Sequence, residues 1–419
     1  MSDHAGNVAD VQVGDAIRPM FPSLRRRQGD QPVVYLDGPG GSQVPDLVID
    51  RIASYYRTSN ANTHGAFVTS RETDRVVAEA RAAMADFLHA PPGATVSFGA
   101  NMTTLNFALA HAVARRLQPG DEVVVTELDH DGNVAPWLML SQHGVVVRWA
   151  PLAENRIELD VPRLLDLIGP KTRLVALGMA SNAIGTITAV PAVRRRTRDV
   201  GALLVLDAVH YAPHQPIDAA ALAPDFLLCS AYKFFGPHVG VLYGAPEALA
   251  GLEPDRVRPQ DPLGPTRVET GTLNHAALAG VAGAVDTIAG WAPEEGSRRE
   301  RLARAMEALD SYEAALFARL YNGLCDVPGV RIYGRPPERG TRTPTVGFTL
   351  EAMDSGLVAE RLAERGIFAW SGNFYAKTLV ERLELDKQGG LVRLGLAPYN
   401  TVDEMDRTVA ALHEIQRSS

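Results

Sequence analysis

Thiols are scarce in this 419-residue chain. Cys229 and Cys325 are its two cysteines, too few for a disulfide framework or a cysteine-based metal cluster, and their apolar neighbours suggest buried thiols. No metal site is expected. Basic runs are short: none exceeds Arg25 to Arg27, and the run Arg194 to Arg196 reads as the solvated face of a helix. With 41 basic against 49 acidic residues and a net charge of −8, the chain offers no basic stripe to nucleic acid or to an anionic membrane. No uninterrupted apolar run reaches membrane-spanning length, and the polar start MSDHAGNVADVQVGDAIRPM has no cationic segment followed by an apolar core. Internal repeats and long low-complexity tracts are missing too. The two isolated thiols fit a reducing, cytoplasmic setting.

What is present is ample for a core: 46% of residues are hydrophobic, enough for a large α/β domain and a smaller one. Residues 1–30 read as an N-terminal arm, 31–290 as a large domain and 291–419 as a small C-terminal α+β domain. Within the large domain, apolar strand-like runs at 95–98, 122–126, 145–149, 173–178, 202–206, 226–229 and 240–243 alternate with helical patterns at 103–117, 133–143, 161–168 and 190–199. Such alternation predicts a mainly parallel sheet covered on both faces. A charged helix at 293–322 leads to the small domain, whose strands are expected at 330–333, 345–350, 367–370 and 391–394, with a last helix at 402–416.

In sheets of this kind ligands bind just beyond the carboxyl ends of the strands. The residues there are Asp37, then 99–103, 127–131, 179–182, 207–210 and 230–233, and they are predicted to converge. Asp207 ends one apolar run and Lys233 follows the next. A lysine amine able to condense with an aldehyde and a carboxylate able to hold a pyridine nitrogen protonated are the pair that pyridoxal phosphate requires; a buried salt bridge is the plainer alternative. Asn101, Met102 and Thr103 stand at a helix start that suits either a phosphate or a simple cap. His130 is placed to stack on a flat ring or to serve as a structural imidazole. Asn182 is placed to donate to a phenolate or to stabilise its own turn.

Eight blocks carry a resemblance that runs nearly end to end, among them VVYLDGPGG, EVVVTELDHDGNVAPW, SNAIGTI, LVLDAVHYAPHQPID, CSAYKFFGPHVGVLYG, VETGTLNHAAL and VRLGLAPYNTVDEMDR. The chain resembles the class V aminotransferase family of fold type I pyridoxal phosphate enzymes, within it the cysteine desulfurase-like branch. The resemblance implies pyridoxal 5'-phosphate as cofactor and an α-amino acid as substrate. It implies that Lys233 forms the Schiff base, that Asp207 partners the pyridinium nitrogen and that His130 stacks on the ring. Asn182 and His210 would face the phenolic oxygen; the family more often has glutamine at the second position. Ser230 and Tyr232 would join Asn101, Met102 and Thr103 around the phosphate, with Tyr232 where many relatives carry histidine. Thr272 would reach a second subunit's site, which implies a homodimer, and Arg393 would clamp the substrate carboxylate.

One departure bears on the reaction. Desulfurases carry a mobile cysteine in a loop that here reads Trp370-Ser371-Gly372-Asn373-Phe374-Tyr375-Ala376, with Tyr375 about where the thiol would stand. Asn373 and Tyr375 become candidate substrate contacts, and Phe67, Phe374 and Tyr375 candidate aromatic walls. The expected reaction is a carbon–sulfur lyase-type β-elimination without a persulfide cysteine. Transamination and racemisation or epimerisation are the alternatives within the family, and a non-catalytic cofactor-binding relative is the alternative outside enzymes.

Overall fold

The computed structural model describes residues 11–154 and 157–418. The first ten residues of the expected arm lie outside that range. From Val11 onward the segment docks on the body: Val11, Ile17, Phe21 and Leu24 are buried in the main core, and Arg18 donates to the Tyr399 carbonyl at 2.6 Å and to Glu404 at 2.9 Å.

Seven strands form the central sheet, in the spatial order Thr95–Gly99, Gly240–Gly244, Phe226–Ser230, Leu203–Asp207, Thr172–Gly178, Glu122–Thr126 and Val146–Ala150. Gly240–Gly244 is antiparallel to both neighbours and the remaining pairings are parallel. The strands read as apolar runs because both faces are covered. Successive residues feed opposite cores: Val124, Val175, Leu177 and Leu204 belong to one buried cluster, Val123, Val125, Leu174 and Val205 to the other.

On the first face the helices Asp46–Thr58 and Val68–Leu88 pack against His275–Gly290. Small residues set that approach: a Cβ on Gly280 would stand 2.8 Å from the Ile52 Cδ1, and one on Gly283 would stand 3.1 Å from Arg51 Cδ. The second face is covered by Met102–Ala114 and by the short turns around Trp137.

Helix Arg298–Cys325 opens with a capping box between Ser297 and Glu300. Arg298 then bonds Glu79, Asp86 and Asp286, tying the helix start to helices Val68–Leu88 and His275–Gly290. Its far half supplies Leu316, Phe317, Leu320 and Leu324 to a third cluster, under an antiparallel sheet of order Val330–Tyr333, Thr345–Leu350, Leu391–Gly395, Trp370–Gly372. Helix Val402–Arg417 closes that cluster. The N-terminal strand Val34–Tyr35 also joins this end, pairing in parallel with Ile367–Phe368.

Four local expectations change. The helix expected at 133–143 is a chain of short turns, Asp131–Asn133, Ala135–Leu138 and Met139–His143, with Pro136 inside the helical turn and left-handed Gly144 ending the last. The strand expected at 367–370 is two: Ile367–Phe368 pairs with the N-terminal strand, Trp370–Gly372 with Leu391–Gly395, and the chain changes partner at Ala369. In the arginine run only Arg195 is exposed, because Arg194 pairs with Asp225 at 2.7 Å and Arg196 donates to the Ile168 carbonyl at 2.9 Å. Cys325 is exposed, because Leu324 takes the core-facing position at the helix end and its neighbour points about 100° away. Among the described residues no helix is long and apolar enough to cross a membrane, and no group of three or more His, Cys, Asp or Glu is placed to hold a metal.

Candidate active site

A cavity of about 1100 Å³ lies beyond the carboxyl ends of the parallel strands, and each expected strand end contributes to it except Asp37, whose place is taken by Pro39 and Gly40. Asp207 ends its strand on the cavity floor. Burial pushes its carboxyl up to about 7, opposed by the Val209 N–H at 2.8 Å from Oδ1 and reinforced by the charge of Asp129. Asp129 is itself buried, raised to about 6 by that burial, and accepts from Gly178 N and Asn133 Nδ2, both at 2.9 Å. Two buried carboxyls on the cavity floor, each raised by burial, call for a compensating cation.

Lys233 follows Phe226–Ser230 in a single tight turn, Ala231–Lys233, so its amine rises from the sheet end into the cavity. It donates to the Pro39 carbonyl and stands 4.7 Å from the centre of the Tyr232 ring. Burial lowers its pKa to about 7, Arg393 adds to the drop and Asp207 opposes it. The Tyr232 ring stacks on His238 at 4.7 Å and 6°. His130 accepts from the Gly132 N–H at Nδ1, 2.8 Å, which leaves the proton on Nε2; burial, with Lys233 and Arg393 adding, pulls it down to about 4. It is therefore a neutral imidazole at pH 7.

Asn101 caps helix Met102–Ala114, its Oδ1 accepting from Thr104 N at 2.9 Å, and Met102 N donates to Ser230 Oγ at 3.1 Å. The helix start can sit over the sheet because Gly240 lacks a side chain: a Cβ there would lie 2.3 Å from the Asn101 carbonyl carbon. Across the cavity, Arg393 donates from Nη1 to the Asn182 carbonyl at 2.9 Å, lies 4.2 Å over the Phe374 ring, and keeps Nε buried without a protein partner. Burial lowers its pKa to about 9, with Asp37 opposing. Asn182 donates to the Phe374 carbonyl at 2.8 Å while its Oδ1 is buried and unpartnered. His210 shares a 3.0 Å hydrogen bond between Nε2 and Thr343 Oγ1, and burial, helped by His214, holds it well below the ordinary histidine range.

The loop after Trp370–Gly372 forms the mouth. Phe374 and Tyr375 both adopt left-handed backbone, φ 54° and 58°, conformations that cost non-glycine residues about 1–3 kcal/mol each. They are held there by Asn182 and by the Asp131 N–H, which donates to the Tyr375 carbonyl at 2.7 Å; Asn373 Oδ1 accepts from Tyr375 N at 3.0 Å. Trp370 and Gly40 fit together, since a Cβ at Gly40 would stand 2.4 Å from the indole Nε1.

The structure thus brings Asn101, Met102, Thr103, His130, Asn182, Asp207, His210, Ser230, Tyr232, Lys233, Asn373, Tyr375 and Arg393 to one cavity. Thr272 stands apart, exposed in a second cavity of about 490 Å³ that shares only His238 with the first. Phe67 is exposed and lines neither. Sequence reasoning did not single out Asp129, although it lay inside a flagged strand end, nor Trp370 as a wall, whose contact with Gly40 no local pattern announces.

The family model for aminotransferase class-V matches residues 34–408. The chain belongs to the class-V aminotransferase family. An uncharacterized protein of Mycobacterium tuberculosis is 34% identical over 94% of this chain and 97% of its own. A cysteine desulfurase of Dickeya dadantii is 31% identical over 96% and 97%. Among solved structures, the cysteine desulfurase CsdA of Escherichia coli superposes with a TM-score of 0.82 at 27% identity, covering 96% of this chain and 98% of that one. This class-V chain is a fold type I enzyme that depends on pyridoxal phosphate. Its cavity fits that group chemically. A buried carboxyl pair suits a protonated ring nitrogen, a helix start suits a phosphate, and the buried Asn182 Oδ1 and Arg393 Nε have hydrogen-bonding capacity to spare.

Proposed function

We propose that the enzyme takes an α-amino acid bearing sulfur or another leaving group on Cβ and expels that group by elimination, without storing sulfur on a protein thiol. The place of the two cysteines carries the reading. Cys229 is buried within the sheet, its thiol pushed far up by that burial, and Cys325 is on the Arg298–Cys325 helix end; neither lines the cavity, where Tyr375 presents a phenol.

Pyridoxal phosphate supplies the electron sink that makes the Cα–H of a bound amino acid acidic. On this proposal Lys233 is the residue that bonds the cofactor and, once freed, takes the Cα proton at Nζ. Its lowered pKa leaves a substantial neutral fraction near pH 7, which suits a base. Asp207 would hold a proton on the ring nitrogen, His130 would serve as a neutral imidazole against the ring, and Asn182 and His210 would serve the phenolic oxygen. Asn101, Met102, Thr103, Ser230 and Tyr232 hold the phosphate. Arg393 turns the substrate carboxylate toward itself, while Asn373 and Tyr375 bound the side-chain end. Thr272, remote from this cavity, serves that of a second copy in a homodimer.

A panel of amino acids in deuterated water tests the reaction. Pyruvate and ammonia from β-substituted substrates are expected. Cα exchange without product would replace elimination by racemisation, and a cofactor left as the amine would replace it by transamination. Persulfide formation on either cysteine, found by mass spectrometry during turnover of cysteine, would overturn the proposal.

A further inference from the structure

Behind Lys233 lies a pair of buried ionisable groups, His214 and Glu313, for which the proposed reaction has no use. His210, His214, Lys233 and Ser42 border a small cavity of about 10 Å³, close to the room one water needs. His214 is buried and its Nδ1 lies 2.8 Å from Glu313 Oε2. Glu313 is 1% exposed and comes from the long helix Arg298–Cys325, about a hundred residues away in sequence. Its other oxygen, Oε1, and Arg342 Nη1 have no protein partner, and both residues line a further cavity of about 60 Å³. A histidine–glutamate pair in a core gains little over an apolar pair of the same volume. Stability alone does not explain one set directly behind a reactive lysine.

We propose that the His214–Glu313 pair is a proton acceptor for Lys233, joined to its amine through a single water in the small cavity. This rests on Lys233 being the cofactor-bearing base. His214 and Glu313 are positioning residues, since neither lines the main cavity. An N–H bond of the Lys233 ammonium breaks, its proton passes to the water, and the water releases one of its own to His214 Nε2. The amine becomes neutral while the pair goes from imidazole–carboxylate, charge −1, to imidazolium–carboxylate, charge zero; the proton returns by the same path. Lys233 is also faced by Asp207, Arg393, His130 and Tyr232. Glu313 is also faced by Asp310 on its own helix, by Arg342 and by Tyr399. Burial, with His214 opposing and Asp310 adding, raises Glu313 to about 7.

The test is a spectrophotometric pH titration of the cofactor-loaded enzyme without substrate, for wild type, Glu313→Gln and His214→Gln, with thermal melting as the check on folding. Glu313→Gln removes the negative charge behind Lys233, so its midpoint of the lysine–cofactor absorbance is expected to fall by about half to one pH unit, whereas His214→Gln removes the group that takes the proton. The wild-type transition is expected to be broader than a one-proton curve, and the variants' to narrow to one. An unshifted midpoint in a Glu313→Gln variant that melts with the wild type would overturn the pair's role and leave the Lys233 assignment standing. A wild type that takes up no cofactor, or a Lys233→Ala variant with an unchanged spectrum, would remove both. If both substitutions disturb folding, the wild-type curve decides: a sharp one-proton step overturns the proposal.

Discussion

The floor of the cavity and its mouth are built from different kinds of backbone. Floor groups sit on strand ends or one turn beyond: Asp207 on Leu203–Asp207, Lys233 after Phe226–Ser230, Asn101 at the start of Met102–Ala114. Neighbouring strands fix their spacing, so these side chains are held before any ligand arrives. The mouth is a loop from the C-terminal end of the chain, with two left-handed non-glycine residues and Tyr375 71% exposed. It is held by a few hydrogen bonds to Asn182 and Asp131. Preorganisation belongs where charge is handled, and an adaptable rim belongs where substrates differ.

Substitutions on the two sides should therefore differ in kind. Lys233→Ala should abolish the cofactor's lysine-dependent absorbance and lower kcat by at least about 10³-fold, the scale of a lost general base, read in single turnovers. Arg393→Lys, at the junction of floor and mouth, should raise KM about 30- to 100-fold while leaving that spectrum in place. Lysine cannot reproduce the two-pronged contact with a carboxylate, a loss of about 2–3 kcal/mol. A rise in KM of less than threefold would move the carboxylate site elsewhere.

The floor also predicts a pH effect in the cofactor-free protein. Asp207 holds its proton up to about pH 7 when folded and releases it near 4 when unfolded. The folded state therefore binds more protons between those values, and this group's contribution to stability falls as pH rises through the window, by at most about 1.4 kcal/mol per unit. Asp207→Asn should flatten that decline in urea melts taken from pH 4 to 7. If Asp207 meets the ring nitrogen as proposed, the slope should flatten again in the loaded wild type. At the mouth, Phe374→Ala should remove the ring beneath Arg393 and change kcat/KM only about three- to tenfold, the worth of about 0.5–1.5 kcal/mol of cation–π contact. Its spectrum should be that of the wild type. An altered spectrum would mean that mouth and floor are not separable.

Much of the floor was legible in advance, for a physical reason. Apolar runs such as 203–206 and 226–229 announce buried strands, and a parallel sheet places ligands where such runs end in polar residues. That reasoning gathered Asp207, Lys233, His130 and Asn182 without any contact being known. It failed where one position in a pattern was read as typical of its neighbours. Cys325 looked buried because Leu324 is, and Arg194 looked solvated although it pairs with Asp225. The helix expected at 133–143 shows the same limit, since apolar spacing survives in short turns around Pro136.

The sequence by itself determined the sheet, the family and the cofactor, because each rests on local patterning or on short blocks in a fixed order. Tertiary structure alone decided that Phe374 covers Arg393, that Gly40 makes room for Trp370, that Thr272 stands in a separate cavity and that Glu313 meets His214 behind Lys233. Periodicity reports which face of an element is buried. What it is buried against is fixed only when distant segments pack, and at this cavity those contacts set Arg393 over Phe374 and place the His214–Glu313 pair behind Lys233.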